Sequence, residues 1–306
     1  MDGKSRNSKL FANSELTWWQ RFLSKLLRMG PIPSHIAFIM DGNRRYARRK
    51  GVRSELGHEF GFEALAMALK WCNHIGIREV TVFAFSIENF KRSEAEVAVL
   101  MSIARRKFAD LILELDELMD QGVCIRFFGN TAMLPKDIQK LMADILLKTR
   151  HNNKLFLNVC VAYTARDEFT RAVKVIEDAV RAKTLRTEDI SEYLLRSILD
   201  SGDSSNPDLV IRTSGETRLS DFMMIQVSNS FLYFDDVLWP EYSFWNLFRA
   251  ILAFQRNYEP AETELHNLMK STISKSSEKS ERVNRLIENV RQQRFTVAAG
   301  LVSQST

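Results

Sequence analysis

The sequence predicts an α/β protein built on an open, mostly parallel six-stranded sheet with helices on both faces. Between residues 31 and 258, short runs rich in β-branched and aromatic residues alternate with longer helical patterns. Most of the short runs are continuously apolar, as a parallel sheet covered on both faces requires. This alternation of strands and helices also favours right-handed crossovers between parallel neighbours.

Six apolar runs are the strand candidates, at residues 35–40, 79–85, 123–128, 155–161, 209–212 and 231–234. Helical patterns lie between or after them, at residues 58–75, 94–121, 135–151, 166–182 and 244–255. Gly76 and Gly122 stand where a helix ends in a left-handed residue. Pro135 suits a first helical turn.

Composition divides the chain into three zones. Residues 1–30 are polar and then amphipathic, residues 31–258 carry the alternating pattern, and residues 259–306 are charged and poor in large apolar side chains. We therefore predict an N-terminal extension with an amphipathic helix, one main domain and a charged helical tail. The 43 Lys and Arg against 38 Asp and Glu give a net charge of +5, which is mild for 306 residues. Such a balance gives little support to nucleic-acid binding.

Cysteine usage and hydropathy bear on the cellular compartment. Cys72, Cys124 and Cys160 are far apart, lie in apolar runs and lack metal-ligand spacing, as expected for buried thiols in a reducing compartment. The sequence has no run of 18 apolar residues, and its first residues lack the apolar core of a secretory signal. We expect a protein of the cytosolic side.

Ligands of open α/β sheets bind beyond the carboxyl ends of the strands, so residues that follow the predicted strands are candidates for chemistry. The first strand is followed by Asp41, Gly42, Asn43, Arg44 and Arg45. A carboxylate at a strand tip suits Mg²⁺, a glycine lets the backbone approach an anion, and arginines offer forked donors to phosphate. A plain Asp-Gly turn before a solvated basic helix is the alternative.

Two more polar segments follow predicted strands. Ser86, Asn89 and Arg92 are spaced by three, which a helix-capping loop explains equally well. Arg212 and Arg218 flank several hydroxyl side chains after the fifth strand.

Two desolvated guanidinium groups in that fifth-strand segment would require partners, so an anion is expected there. A salt-bridge network with Glu216 or Asp221 is the alternative. Together the three segments predict a diphosphate site with a divalent metal.

These segments resemble the motifs of the cis-prenyltransferase family, also called the undecaprenyl diphosphate synthase family. The similar stretch covers about residues 35–258 and contains HIAFIMDGNRRYA, GHEFGF, FAFSIENFKR, IRTSGETRLSDF and FDDVLWPEY in the family's order. Arg44 stands where bacterial members usually carry glycine. With the long terminal extensions, this is similar to the eukaryotic dehydrodolichyl diphosphate synthase branch. The resemblance implies that residues 31–258 condense isopentenyl diphosphate onto an allylic starter such as farnesyl diphosphate, forming Z double bonds.

The resemblance also implies roles for single residues, with Mg²⁺ as cofactor. Asp41 matches the aspartate that organises Mg²⁺ and diphosphate, and Ser86 and Asn89 match a loop near the reacting carbons. Asn89 and a diphosphate oxygen are both candidates for accepting the departing proton. The residues expected to bind substrate are Gly42, Asn43, Arg45 and His58 around the starter diphosphate, Arg44 in the same segment without an assigned pocket, Arg92 in the second-strand loop, and Arg212, Arg218 and Ser220 around isopentenyl diphosphate.

A growing polyprenyl chain needs a hydrophobic product tunnel. Small residues such as Ala64, Ala66 and Ala68 would leave room for a chain beside the helix that contains them. Ordinary core packing of amphipathic helices explains the same apolar residues. The candidate lining is Phe62, Leu65, Ala66, Leu69, Met101, Phe108, Leu111 and Leu115.

Two departures from single-subunit relatives predict a second chain in the active assembly. Phe231 stands where those relatives carry glutamate, and residues 259–306 contain no Arg-x-Gly, the motif that completes a neighbouring subunit's site. In eukaryotic pairs that motif comes from a Nogo-B-receptor-like partner subunit. A homodimeric or heteromeric assembly is therefore expected, and we favour an obligate heteromer.

Residues 16–29 form an amphipathic pattern, with Leu16, Trp19, Phe22, Leu23, Leu26 and Leu27 on one face and basic residues opposite. This pattern is typical of an interfacial membrane anchor. Packing on the body or on a partner is the alternative. We expect peripheral contact with the cytosolic face of the endoplasmic reticulum membrane, with the cytosol as the other possibility.

Other functions fit less well. A rubber-type or shorter polyprenyl product would keep the reaction class, whereas a non-catalytic scaffold subunit would have no reason to retain Asp41 and its arginines. A haloacid-dehalogenase-like phosphatase needs a second aspartate where Asn43 stands. The basic run at residues 44–53 lacks the aromatic stacking positions of a nucleic-acid module.

Overall fold

A computed structural model describes residues 16–258 and 277–303. The strands are β1 (His35–Ile39), β2 (Glu79–Ser86), β3 (Val123–Phe128), β4 (Leu155–Tyr163), β5 (Leu209–Arg212) and β6 (Phe231–Phe234). They form one sheet in the order β3-β4-β2-β1-β5-β6, and every neighbouring pair is parallel. The predicted fold class is confirmed, and each predicted strand is present.

Ten α-helices occur in the part of the chain that is described. Gly76 and Gly122 follow the third and fifth of them with φ of +101° and +67°, so both predicted left-handed caps are confirmed. Pro135 is the N-cap of the sixth helix and precedes its first turn. The helices are α1 (Trp18–Leu27), α2 (Asn43–Arg49), α3 (Ser54–Ile75), α4 (Glu94–Leu113), α5 (Leu115–Gln121), α6 (Lys136–Thr149), α7 (Ala165–Arg181), α8 (Glu192–Ile198), α9 (Phe244–Arg256) and α10 (Ser277–Ser303).

One expectation about helices is wrong, and one short helix was not predicted. Residues 94–121, predicted as one helix, are divided into α4 and α5, because the backbone at Glu114 leaves helical geometry with ψ of +9°. Beyond the break Leu118 is fully buried, whereas Leu113 before it is exposed. The seven-residue helix α8 has no counterpart among the predicted helices, because so few residues show no clear apolar periodicity.

The sheet is packed on both faces, which explains its continuously apolar strands. Ile36 and Phe38 of β1 belong to the large core cluster under α3 and α9. Their neighbours Ala37 and Ile39 belong to a second cluster on the opposite face. All five residues of β1 are buried. Close packing around this central strand therefore fixes the position of its carboxyl end.

The helices near the two ends of the chain pack on the main domain. Trp19 of α1 stacks on Trp245 of α9, with ring centroids 5.7 Å apart. Arg282 of α10 makes an ion pair with Asp189 at 2.7 Å. The predicted domain limits at residues 30 and 258 stay predictions, and the expected polar extension at residues 1–15 and tail at residues 259–276 lie outside the described residues. No described helix combines the length and apolarity that crossing a membrane requires.

Candidate active site

The carboxyl ends of β1 and β5 lie side by side, with Ile39 opposite Arg212 in the parallel register. Asp41 follows β1 and Arg212 ends β5, so the topology brings two of the predicted polar segments together. The guanidinium of Arg212 donates a hydrogen bond to Oδ2 of Asp41 at 3.0 Å. Arg45 of α2 lies 3.7 Å from the same oxygen. One carboxylate therefore faces two guanidinium groups.

Backbone hydrogen bonds fix the position of Asp41. Its Oδ1 accepts the N–H of Gly42 at 2.7 Å, and its carbonyl oxygen accepts the Thr213 hydroxyl at 2.8 Å. Gly42 has φ of +110°, and a Cβ there would lie 3.0 Å from the side chain of Leu238, so the turn requires glycine. The side chain of Asp41 remains 37% exposed and is therefore accessible to a ligand.

Arg212 is buried and organises the loop that follows β5. Its Nη1 donates to Oγ of Ser220 at 2.8 Å and also to the carbonyl oxygen of Arg218. Its Nε is buried and has no hydrogen-bond partner among the described residues. The guanidinium of Arg218 instead lies in solvent and pairs with Glu216. The expectation of two desolvated guanidinium groups is therefore wrong for Arg218, which makes the salt bridge considered as the alternative.

The loop after β5 contains a cluster of backbone strain. Ser214, Ser220, Asp221 and Met223 all have positive φ, between +46° and +83°, a region that non-glycine residues adopt at an energetic cost. Arg45 donates to the carbonyl oxygen of Ser214 at 3.0 Å and to its hydroxyl. The strained loop thus brings two serine hydroxyls to the arginines.

Asn43 begins α2, where two glycines let α3 approach closely. A Cβ at Gly57 would lie 2.4 Å from the carbonyl oxygen of Asn43, and one at Gly61 would lie 2.3 Å from its Oδ1. The glycines of GHEFGF therefore have a packing role, in addition to the substrate-binding role predicted for His58. Oδ1 of Asn43 is buried without a hydrogen-bond partner among the described residues. Residues 43–49 form the basic helix that the alternative interpretation of this segment described.

His58 of α3 belongs to a second charged cluster. Burial, and then the charges of Arg92 and Arg44, lower the pKa of His58 to about 4, so its imidazole is neutral at pH 7. Oε1 of Glu96 accepts hydrogen bonds from Arg44 at 3.2 Å and from Arg92 at 2.7 Å. Glu96 is absent from the predicted site, although its spacing of four from Arg92 at a helix start indicates such a pair.

Ser86 and Asn89 contact each other at the end of β2. The N–H of Ser86 donates to Oδ1 of Asn89 at 2.9 Å, and Oγ of Ser86 accepts the N–H of Glu88 at 3.2 Å. These bonds cap the short turn Ile87–Lys91, so the capping interpretation describes their local structure. Their role near reacting carbons stays a prediction.

The donor set at Asp41 is compatible with Mg²⁺. No group of three His, Cys, Asp or Glu side chains able to hold a metal occurs within residues 16–258 and 277–303. Mg²⁺ commonly takes only one or two protein carboxylates and completes its shell with substrate phosphate oxygens and water. The accessible carboxylate of Asp41 fits that kind of site.

Comparison with known proteins extends these observations. Residues 39–262 match the prenyltransferase family model described as undecaprenyl diphosphate synthase. The dehydrodolichyl diphosphate synthase complex subunit of Homo sapiens is 53% identical over 244 residues, which are 80% of this chain and 73% of the relative. The tritrans,polycis-undecaprenyl-diphosphate synthase (geranylgeranyl-diphosphate specific) of Pyrococcus abyssi is 40% identical over 248 residues, 81% of this chain and 94% of the relative. A crystal structure of lavandulyl diphosphate synthase from Lavandula x intermedia with dimethylallyl diphosphate has a TM-score of 0.70 at 29% identity, covering 74% of this chain and 97% of that one.

Proposed function

Because the chain belongs to the undecaprenyl diphosphate synthase family of prenyltransferases, we propose that it condenses isopentenyl diphosphate onto an allylic diphosphate to build a Z-polyprenyl diphosphate. The similarity to the human complex subunit favours dehydrodolichyl diphosphate as the product. A rubber-type or shorter product is the alternative within the same reaction. Farnesyl diphosphate or a similar allylic diphosphate is the proposed starter.

The observation that carries the proposal is the convergence of Asp41, Arg45 and Arg212 at the tips of β1 and β5. With Arg218 and Glu216, the cluster contains three guanidinium groups and two carboxylates, so one positive charge is in excess. A diphosphate supplies both negative charge and acceptor oxygens. Since the leaving diphosphate gains charge as its bond to carbon breaks, donors fixed in advance around it stabilise the transition state.

Asp41 is the proposed ligand for Mg²⁺. When bound, the metal supplies Lewis-acid stabilisation of the charge on the departing diphosphate. The two arginines near Asp41 orient the carboxylate and the substrate oxygens, and they contribute positioning as well as charge.

The two diphosphates are proposed to occupy adjacent pockets. On the α2 side, neutral His58 offers a donor that adds no charge. On the β5 side, Arg212 holds Ser220 in place, and Arg218 would exchange Glu216 for substrate. Arg44 of α2 and Arg92 of the second-strand loop both bind the carboxylate of Glu96. This carboxylate therefore connects the pocket on the α2 side with that loop. The proposed starter pocket is Gly42, Asn43, Arg45 and His58, and the proposed isopentenyl diphosphate pocket is Arg212, Arg218 and Ser220.

The proposed product tunnel begins beside these pockets. Leu65, Leu69, Met101, Phe108 and Leu111 are buried in one cluster between the sheet, α3 and α4. Phe62 and Leu115 are only partly buried against that cluster. A chain that separated α3 from α4 would contact these side chains, and core packing remains the alternative for each of them.

A Nogo-B-receptor-like second subunit that carries Arg-x-Gly is proposed to complete the site. The human relative is named as the subunit of a complex. On the edge strand β6, Leu232 and Phe234 are exposed apolar side chains. An exposed strand edge with apolar side chains is suited to association with another chain.

Peripheral contact with the cytosolic face of the endoplasmic reticulum membrane is also proposed, with the cytosol as the alternative location. Trp18, Phe22 and Leu26 of α1, and Met29 just after it, are exposed, although Trp19 and Leu27 pack inward. An exposed apolar stripe on a helix that also carries basic residues suits a membrane interface.

The deciding experiment incubates the full chain with farnesyl diphosphate, radiolabelled isopentenyl diphosphate and Mg²⁺, with and without a candidate partner. Prenyl transfer gives labelled polyprenyl products, whose length separates dolichol-type from shorter products. No product under any of these conditions would favour the non-catalytic scaffold alternative.

A further inference from the structure

A cavity of about 750 Å³ lies beneath α10, between β3, α6 and α7. Its volume falls within the roughly 300–1,000 Å³ that is typical of small-molecule sites. β3 is the edge strand of the sheet, three positions away from β1, and no residue of the proposed prenyl-transfer site lines the cavity. The apolar part of its wall includes Phe128, Met142, Leu146, Val175, Val297 and Leu301.

The charged part of the wall is dominated by basic side chains. Three carboxylates line the cavity, those of Glu168, Asp200 and Asp203. Asp200 forms a bidentate ion pair with Arg171 and accepts hydrogen bonds from it at 2.9 and 2.6 Å. Arg126 also pairs with Glu79, outside the lining, at 3.3 Å. Among the described residues that line the cavity, six are basic, so positive charge there exceeds negative by three: Arg126, Arg150, Arg171, Lys174, Arg291 and Arg294.

Two of these arginines converge at one end of the cavity. Arg291 of α10 lies 2.5 Å from Oδ1 of Asp203, and Arg126 of β3 donates to the carbonyl oxygen of Asp203 at 3.2 Å. Nε of Arg291 is buried and has no hydrogen-bond partner in the described ranges. A buried donor of this kind is costly unless it finds an acceptor. Although Asp203 already accepts from both guanidinium groups, Nε of Arg291 still lacks an acceptor oxygen.

We propose that this cavity binds a single-chain anionic amphiphile, with its carboxylate or monophosphate head at Arg126 and Arg291 and its hydrocarbon tail among Met142, Leu146 and Val297. The head supplies the missing acceptor oxygen and offsets the excess of positive charge. The tail fills the apolar part of the wall and excludes water from it. Since α10 contributes both Arg291 and Val297, the ligand joins this helix to the sheet.

The test measures binding by calorimetry to the full chain, with its partner where one is required, at amphiphile concentrations below micelle formation. The active site is first saturated with Mg²⁺ and a non-hydrolysable farnesyl diphosphate analogue. Laurate and dodecyl phosphate probe the two head groups, and dodecanol is the neutral control. One equivalent of each anion should bind, about tenfold or more tighter than dodecanol, because a charge-assisted hydrogen bond has this magnitude. The tighter of the two anions identifies a fatty acid or a phosphate lipid as the natural source.

Arg291→Gln should weaken binding of the anions by about tenfold or more, since it removes a charged hydrogen-bond donor. Arg285→Gln is the matched control, because Arg285 lies on the same helix, pairs with Glu281 and does not line the cavity. Leu146→Trp should block the tail, whereas Leu147→Trp, beside it but outside the lining, should not. Prenyl transfer by Arg291→Gln should equal that of the unmodified chain, so failure here is distinct from failure of the proposed function.

Three results would overturn the proposal. The first is equal binding of dodecanol and the two anions. The second is loss of amphiphile binding when the farnesyl analogue is present, which would locate the amphiphile in the active site. The third is binding that neither Arg291→Gln nor Leu146→Trp reduces.

Discussion

Asp41 combines a fixed position with an accessible carboxylate, which is the combination that a metal-assisted diphosphate site needs. Asp41→Ala removes the proposed Mg²⁺ ligand and the acceptor for Arg212. We expect turnover to fall by about 10²-fold or more, as for other losses of transition-state charge stabilisation. Steady-state kinetics with circular dichroism as a folding check measures this. The control is Glu241→Ala, which removes a nearby carboxylate paired with Arg49 and should leave turnover close to normal. Normal turnover in Asp41→Ala would contradict the assignment of Asp41.

Arg45 and Arg218 offer the cleanest test of two separate diphosphate pockets. Arg218 lies in solvent and pairs with Glu216, so Arg218→Ala changes charge without disturbing the core. It should raise the KM for isopentenyl diphosphate, whereas Arg45→Ala should raise the KM for the allylic starter. Arg212→Ala is also expected to act on isopentenyl diphosphate but will disturb the strained loop. Equal changes in both KM values for Arg45→Ala and Arg218→Ala would show that the division into pockets is wrong.

His58 should make the folded state sensitive to mild acid. Its pKa is lowered from 6.5 to about 4 chiefly by burial, so between these values the unfolded chain binds a proton that the folded chain does not. The free energy of unfolding therefore decreases as the pH falls from about 6.5 towards 4. Below about 4 both states bind the proton, so His58 lowers the free energy of unfolding no further. By pH 5 the loss amounts to about 2 kcal/mol.

Urea unfolding of the unmodified chain and of His58→Gln at pH 7.5 and pH 5, values chosen on either side of the ordinary histidine pKa, measures this contribution. The variant should lose less stability than the unmodified chain over the same interval. Identical losses in the two proteins would mean that His58 is not buried in its neutral form.

The residues that the sequence could predict are those whose position follows from topology. Asp41 and Arg212 meet because parallel strands end at one edge of the sheet. The direction of Arg218 into solvent could not be predicted, because it depends on positive φ at Ser220 and its neighbours. The pairing of Glu96 with Arg92 is visible in their spacing, but its second bond, to Arg44, depends on α2 lying beside it.

Among the elements, strands were predicted more accurately than helices for a physical reason. A strand buried on both faces is apolar throughout, so the limits of β1 and β5 are visible in the sequence. A helix break such as that at Glu114 needs neither proline nor glycine, and the sequence around it remains helix-forming. The short α8 is held by tertiary packing, with Leu194 and Ile198 in a cluster shared with α10.

The helix α1 has two apolar faces with different roles. Trp19 stacks on Trp245, whereas Trp18 is 81% and Phe22 62% exposed. Joint replacement, Trp18→Ser with Phe22→Ser, should reduce sedimentation with anionic liposomes and leave the melting temperature unchanged. Trp19→Ser should instead cost on the order of 2 kcal/mol of stability, because it removes an aromatic contact. Liposome binding that the joint replacement does not reduce would locate membrane contact elsewhere.

At the scale of the whole molecule, the two edges of the sheet differ. The β3 edge lies beside the cavity that α10 covers. At the other edge, Phe231 of β6 packs on Phe254 of α9, with ring centroids 6.4 Å apart. Phe231 is only partly buried against α9, so the expectation drawn from it, that this edge contacts another chain, stays a prediction. Leu232 and Phe234 are the exposed apolar residues of this edge.

The assembly prediction follows from that difference between the edges. We expect the chain alone to be poorly active, and a partner that ends in Arg-x-Gly to raise turnover by orders of magnitude, since an arginine beside a glycine brings charge and close backbone approach to the diphosphate. Leu232→Asp should weaken the complex, because a charge would be buried against the partner. Met119→Asp, an equally drastic change on α5 near the opposite edge, should leave it intact.

Analytical ultracentrifugation and prenyl-transfer kinetics separate assembly from catalysis. Truncating the last few residues of the partner should abolish the gain in turnover while the complex still sediments as one species, because those residues act on substrate and not on association. Leu232→Asp should instead weaken the complex and leave the active site unchanged. Its turnover should therefore return when the partner is supplied in excess. Robust long-chain synthesis by this chain alone, in a host without a partner, would falsify the proposal, because the donors on the tips of β1 and β5 would then suffice for both diphosphates.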